Sequence, residues 1–442
     1  METRKPVFIF KALTTALLLS ISNNLFCQSL DTTIVITRSI NREDVLYAGN
    51  FAGDIDIKTW DKNELKIEYI LSTEANSKEE LSAFYRQLIK SIEDQQKEIT
   101  PGKVTVNYPI RNIHINGRKT EVMFTGSKKE YSLIDMKCSL LIHLPMVNSL
   151  NVGSSFKKVT IDNLASDATV SLSSSQLVMG DCKFLNLRAS FAAHMKIGNV
   201  ENAKMVINSS SLEMGIVKSN ISLKSSFSHF NIGSIGDSAN FDLNSCSLQA
   251  TDIKILDIHG SFIRNFKVNN VEKVTMSLNS SEFDANKIDN VEADKTSFST
   301  VRINDVNNIK IASSSSSTFS LGQVGTLESD DCSFSKFNID KLRKSFGTNA
   351  HSGNIQILSI LSGFEAINIK GNFVSIDLHV EEKCNYLVSA DLTYPNYTFN
   401  GLQYRNREKD MSHEVIDGWK GNKDQASSKI DLKCKSCNIT IN

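Results

Sequence analysis

Aspartates recur along the chain at Asp162, Asp181, Asp237, Asp252, Asp289, Asp305 and Asp340. Two or three carboxylates converging on one face, or one beside a base, would supply the general acid and base chemistry of polysaccharide lyases and hydrolases. Each of these aspartates, however, has Asn, Gly or Lys close by in a turn-like context, where an Asp side chain bonds its own backbone. They read as turn residues.

The histidines are His114, His143, His194, His229, His259, His351, His379 and His413. His194 and His229 stand 35 residues apart, just after two phenylalanines, a spacing that could bring them together as metal ligands. No acid accompanies them, so solvated or hydrogen-bonded histidines are expected. Cys434 and Cys437 have the spacing of a redox or zinc pair. They lie between two strand-like runs, with no helix to lower a thiol pKa and no second pair to complete a zinc site. Free thiols are expected there, with a local disulfide as the alternative. The other cysteines of the mature chain are Cys138, Cys182, Cys246, Cys332 and Cys384, an odd total of seven with Cys434 and Cys437. Small buried thiols are expected, several at positions where Ser stands in sister repeats. Phosphate-binding loops, dinucleotide fingerprints, nucleophile elbows and calcium nonapeptides do not occur. No catalytic, cofactor-binding or metal-binding residue is assigned.

What would position any site is a repeat. From about Leu150 to Gly363 short apolar alternations flank pairs of small residues, such as Ser173-Ser174, Ser209-Ser210, Ser245-Cys246, Ser280-Ser281 and Cys332-Ser333, with a period near 18. A second rhythm of 35 or 36 places Phe after Ser at Phe156, Phe191, Phe227, Phe262, Phe298 and Phe334. The reading is that each Phe wedges into a bulge-like corner, and that Leu177, Leu212, Leu248, Phe283 or Phe319 takes its place in the intervening units.

Alternation at i, i+2 and i+4 places apolar residues on one side of a strand, which excludes helical repeats. Such units cannot bury their apolar faces alone and must stack into one core. The fold class expected is all-β, a parallel β-solenoid, as a right-handed β-helix with rungs of about 18 residues. A rung of 36 is the alternative. Ser and Asn at the corners allow tight bends and can bond their like in the next rung. Prolines are absent from Val147 through Tyr394, as backbone committed to ladder hydrogen bonds requires.

Residues 1–27 read as a secretory signal, basic at the start and apolar through Leu17, Leu18 and Leu19. Phe26 before Cys27 does not suit a lipid-modified terminus. Residues 28–148 form a strand-rich leading region with one helix near 77–97, opened by the capping box Ser77-Lys78-Glu79-Glu80 and expected to cover the end of the stack. Repeats occupy 149–363 and closing strands 364–442, with Lys429 to Asn442 shutting the far end. Lys plus Arg and Asp plus Glu are 49 each, so no net field draws nucleic acid. No transmembrane segment is expected after signal cleavage.

The stretch Asn50-Phe51-Ala52-Gly53-Asp54-Ile55-Asp56-Ile57-Lys58-Thr59-Trp60, the run Leu140 to Pro145, and the closing Ile430-Asp431-Leu432 and Ile439-Thr440-Ile441 resemble a bacterial putative-adhesin family of exported β-strand-repeat proteins. That family's Ser-Gly-Asp-Ile repeat is approached only at Ser352-Gly353-Asn354-Ile355. The resemblance implies an architecture and a compartment, in the periplasm, on the outer-membrane surface or outside the cell, and no active site. Together these readings lead to the expectation of a non-enzymatic structural or adhesin-like protein of the cell envelope. Its faces would meet a glycan, a peptide or another copy. The rival expectation is a carbohydrate-active enzyme working on one face of the β-helix.

Overall fold

A computed structural model describes residues 28–442 apart from 50, 52, 98–101, 108–109, 117–118 and 126. The expected leader, 1–27, lies outside the described residues. The chain forms two compact units that divide after Gly215.

In the first unit, parallel pairing joins Leu150 to Ala168 and Val159 to Leu177, each a step of 18 residues. One turn of the coil is therefore 18 residues and not 36. Each rung carries two short strands on either side of one corner: Leu150–Ser155 and Lys158–Ile161 flank Phe156, and Ala168–Ser173 and Gln176–Met179 flank Ser174. Inward residues such as Val152, Val159, Val170 and Leu177 are sealed from solvent, so each rung buries apolar surface only because another lies on it.

The parallel ladder begins before the repeats become legible. Val45–Gly49 pairs with Leu150–Ser155, and Asp54–Trp60 pairs with Lys158–Ile161. On the other side of Asp54–Trp60 runs Asp135–Pro145, which then pairs antiparallel with Glu64–Ala75, itself antiparallel to Gln28–Ser39. The helix Lys78–Lys97 buries Leu81, Phe84, Leu88 and Ile92. Phe84 meets Phe124 and Tyr131 of a three-stranded antiparallel sheet at ring separations of 5.4 and 5.9 Å. Antiparallel strands, rather than the helix alone, thus turn the ladder away from open-ended stacking.

In the second unit single strands of up to sixteen residues, such as Glu282–Ser297 and Thr300–Ser315, run through most of a rung. The inward residues of the first are Phe283, Ala285, Ile288, Val291, Ala293 and Thr296. Three steps of three, from Ala285 to Ile288, Ile288 to Val291 and Ala293 to Thr296, interrupt the steps of two and mark bends. Aromatic residues stack up the core: Phe266 on Phe283 at 5.3 Å and Phe319 on Phe337 at 5.2 Å, geometry that adds about 0.5–1.5 kcal/mol per pair beyond burial.

The end of this unit departs from chain order. Ala366–Asn372 pairs with Ser428–Lys435, which pairs on its other side with Tyr386–Thr393. The last segment of the chain is thereby inserted between two earlier rungs, and the expectation that it shuts the far end is corrected. Closure falls to the antiparallel strands His413–Lys420 and Gln403–Lys409 beyond Tyr386–Thr393. Gln403–Lys409 is exposed along its whole length and carries Arg405, Arg407, Glu408 and Lys409, charges that blunt an open strand edge.

Candidate binding surface

Every corner between the two sides of a rung is made by one residue in the left-handed backbone region. Phe156, Phe191, Phe227, Phe262, Phe298, Phe334 and Phe373 have φ between +50 and +62°, and Ser174, Ser209, Ser245, Ser280, Ser316, Ser352 and Ser436 between +49 and +54°. The turn breaks the inward alternation, so the corner side chain points out. These phenylalanines are 54–75% exposed, which corrects the expectation that they wedge inward. Leu177, Leu212, Leu248, Phe283 and Phe319 are core residues, and the true counterparts of the corner phenylalanines are the corner serines. A side chain with a Cβ costs about 1–2 kcal/mol in this conformation. An exposed Phe recovers little of that by burial.

The residue after the corner explains how the bend holds. Ser281, Ser299, Ser317 and Ser335 are buried, and each hydroxyl donates to the carbonyl two residues back, across the corner, at 2.8–3.2 Å. The amides of Ile263, Ser281 and Ser299 donate in turn to the hydroxyl of the next rung, Ser281, Ser299 and Ser317, at 3.1–3.3 Å. A column of serine hydroxyls thus satisfies backbone groups that the bend takes out of the ladder. The small-residue pairs are corner chemistry, as their sequence implied.

Beside the corners of the first unit lies an open groove of about 740 Å³. Its floor is the outward side of four neighbouring strands, with Gly153, Ser155, Ser171, Ser173, Arg188, Ser190 and Asn208, and Phe51 stands at its wall. A smaller groove of about 390 Å³ in the second unit is lined by Asp331, Asn349, His351, Lys370, Asn372 and Lys433. Both are shallow, the first rich in hydroxyl groups and the second in amide and charged groups. Composition alone gave no signal for either, because their residues are adjacent only across rungs.

The aspartates singled out by sequence bond amides and basic side chains. Asp162 accepts from the Thr59 amide and Lys58, Asp181 from the Asn199 amide, Asp252 from Asn269 and Asn270, Asp289 from Asn307, and Asp305 from Arg343; Asp237 lies 3.8 Å from Lys254. Asp340 sits on the strand Lys336–His351. The histidines are equally dispersed in role. His143 packs on Trp60, His229 bonds Ser247, and His259, His379 and His413 face Asp257, Asp377 and Asp391. His194 occupies a left-handed turn with its amide on the Ser211 hydroxyl, His351 lies between the rings of Phe334 and Phe373, and His114 is exposed. Among the described residues no three His, Cys, Asp or Glu side chains gather as a metal site.

Cys182, Cys246, Cys332, Cys384, Cys434 and Cys437 are free thiols. Burial pushes the Cys182 thiol up to about 12 and raises Cys332 and Cys384. Cys434 and Cys437 flank the corner residue Ser436 and face each other, so that Cys434 donates to Cys437, raising the first and lowering the second. Gly371 on the neighbouring strand makes room for them: a Cβ there would stand 3.3 and 3.2 Å from their sulfurs.

Fold and surface together define a parallel β-solenoid whose corners alternate between exposed aromatic and serine. No family model matches the chain, and no curated protein matches it by sequence. Among solved structures, one described as "a putative cell adhesion protein" from Clostridium sporogenes aligns over 93% of this chain and 99% of its own, at 9% identity and a TM-score of 0.15. Among the described residues no helix is long and apolar enough to cross a membrane.

Proposed function

We propose that this protein is an exported, non-enzymatic scaffold with a structural or adhesive role at a bacterial cell envelope, binding through repeated surface features rather than one pocket. The observation that carries this reading is the outward phenylalanines at alternate corners of each unit. Phe156 and Phe191 in the first unit, and Phe227, Phe262, Phe298, Phe334 and Phe373 in the second, are held in water on a costly backbone conformation, at a period set by the rungs. A row of identical weak contacts favours a partner that is itself repetitive, since each contact raises the effective concentration for the next. Aspartates held by amides and basic side chains support a binding role over hydrolysis.

Fractionation of the native host with protease treatment of intact cells tests the compartment, and retention of the purified chain on envelope preparations tests the binding. Recovery in the cytoplasm, or turnover of a polysaccharide by the pure chain, would overturn the proposal.

A further inference from the structure

The aromatic column of the second unit is longer than chain order reveals. Amide to carbonyl bonds between successive rungs run from Phe227 to Asn244, Ser245 to Ser261, Phe262 to Asn279, Ser280 to Ser297, Phe298 to Ser315, Ser316 to Ser333, Phe334 to His351, Ser352 to Asn372, Phe373 to Lys435, and Ser436 to Thr393. The corners therefore follow one another as Phe227, Ser245, Phe262, Ser280, Phe298, Ser316, Phe334, Ser352, Phe373, Ser436 and Tyr394. Inserting the last chain segment between two earlier rungs places Ser436 between Phe373 and Tyr394, so aromatic and serine alternate without a break. Tyr394 has φ +50° and is 62% exposed, like the phenylalanines it follows.

Rungs lie about 4.8 Å apart, so the aromatic rings recur about every 10 Å along a line of about 48 Å. Neighbouring rings of the column stand too far apart to stack on one another, because aromatic pairs contact at about 4.5–7 Å between centroids. They make no direct ring contact with each other, and His351 meets both Phe334 and Phe373 edge-on. The residues that precede the corners from Phe227 to Phe334 are Ser226, Asn244, Ser261, Asn279, Ser297, Ser315 and Ser333, all hydroxyl or amide bearing, and His351, Asn372, Lys435 and Thr393 continue the row to Tyr394.

We infer that this column binds an extended β-1,4-linked polysaccharide, laid along the stack with one ring under every second sugar. In such a chain each pyranose is flipped relative to the one before it. The same face therefore returns every second residue, and one residue is about as long as a rung is thick. Apolar C–H faces of the sugars would lie on the aromatic rings, and the hydroxyls and amides beside them would bond the ring hydroxyls. This deepens the scaffold proposal and rests on it by naming the class of partner.

The test is co-sedimentation of the full mature chain with insoluble β-1,4-glucan and with chitin, against granular α-1,4-glucan, whose chains coil. The variant carries Phe262→Ser, Phe298→Ser and Phe334→Ser together. Ser245, Ser280 and Ser316 already hold the same backbone angle in neighbouring rungs, so the variant retains the fold, which circular dichroism and thermal melting verify. A second variant with Tyr at the same three positions keeps the rings. The expected result is retention on a β-1,4 polymer and not on the α-1,4 polymer, at least about tenfold weaker in the Ser variant and preserved in the Tyr variant. Absence of binding to both β-1,4 polymers, or equal binding by the Ser variant, would overturn the inference. Should the wild type bind neither polymer yet self-associate in sedimentation through the same phenylalanines, the occupant is a second copy and the scaffold proposal stands. Should it bind no polymer, no copy of itself and no envelope preparation, both fall.

Discussion

The amide of Ser281 donates to the hydroxyl of Ser299 at 3.2 Å, while that hydroxyl donates to the Ser297 carbonyl at 2.8 Å. One buried oxygen thus serves two rungs, as acceptor for one and donor to the corner of its own. The serine content of this chain is hydrogen-bond accounting for bends that a plain strand ladder cannot satisfy.

Ser299→Ala tests this accounting. The substitution leaves the buried Ser281 amide without its acceptor, while the Ser297 carbonyl keeps the Ser280 amide, and should cost about 1–3 kcal/mol. The measurement is the urea midpoint of the intact chain. An unchanged midpoint would show that the corner holds without the hydroxyl.

At Phe298 the backbone has φ +50° and the ring is 67% exposed. Phe298→Gly should be more stable than Phe298→Ala by about 1 kcal/mol, since the left-handed backbone costs any residue with a Cβ about 1–2 kcal/mol while Gly gives up more chain entropy. Phe283→Ala, in the core, should cost about 3–5 kcal/mol. Equal stabilities for Phe298→Gly and Phe298→Ala would show that the corner imposes no strain.

Glu414 is the charged residue sealed into the closing strands, at 1% exposure. Burial would raise its carboxyl, but the Tyr397 hydroxyl at 2.6 Å and the Arg407 guanidinium at 2.7 Å outweigh burial and hold it below its ordinary value. A depressed carboxyl contributes stability that is complete above the unfolded pKa of about 4.3 and is lost as pH falls through the folded value. Glu414→Gln should therefore lower stability at neutral pH by about 1.5–3 kcal/mol, the worth of a charge-assisted hydrogen bond, with the difference from wild type shrinking below about pH 4. Urea midpoints from pH 3 to 7 provide the comparison, and a difference independent of pH would exclude the linkage.

The repeat period, the parallel stack, the capped helix at Ser77 and the corner role of serine were all legible in the chain, because side-chain periodicity and turn chemistry are local properties. The direction of the corner phenylalanines was not. Apolar residues next to a strand are ordinarily counted as inward, and only the backbone angle at the corner reverses that. The one available signal was the lost step of two between Ser154 and Val159, across Phe156. Tyr394 looked like part of an irregular polar segment for a different reason: its neighbour along the stack, Ser436, lies 42 residues away in the chain. The groove beside Arg188 escaped notice because its lining comes from successive rungs that share a face only after coiling.

Sequence by itself determined the repeat and its stacking, since an apolar alternation that restarts every 18 residues stays dry only in a stack, while the pairing of Leu150 with Ala168 chose a turn of 18 over 36. Tertiary structure alone decided which side chains leave the core and in what order they line up. One left-handed residue turns a phenylalanine outward, and the pairing of Lys429–Lys435 between Ala366–Asn372 and Leu387–Thr393 sets Ser436 between Phe373 and Tyr394. The physical reason is that burial patterns are written along the chain, whereas the order of rungs is written in hydrogen bonds between segments far apart in it.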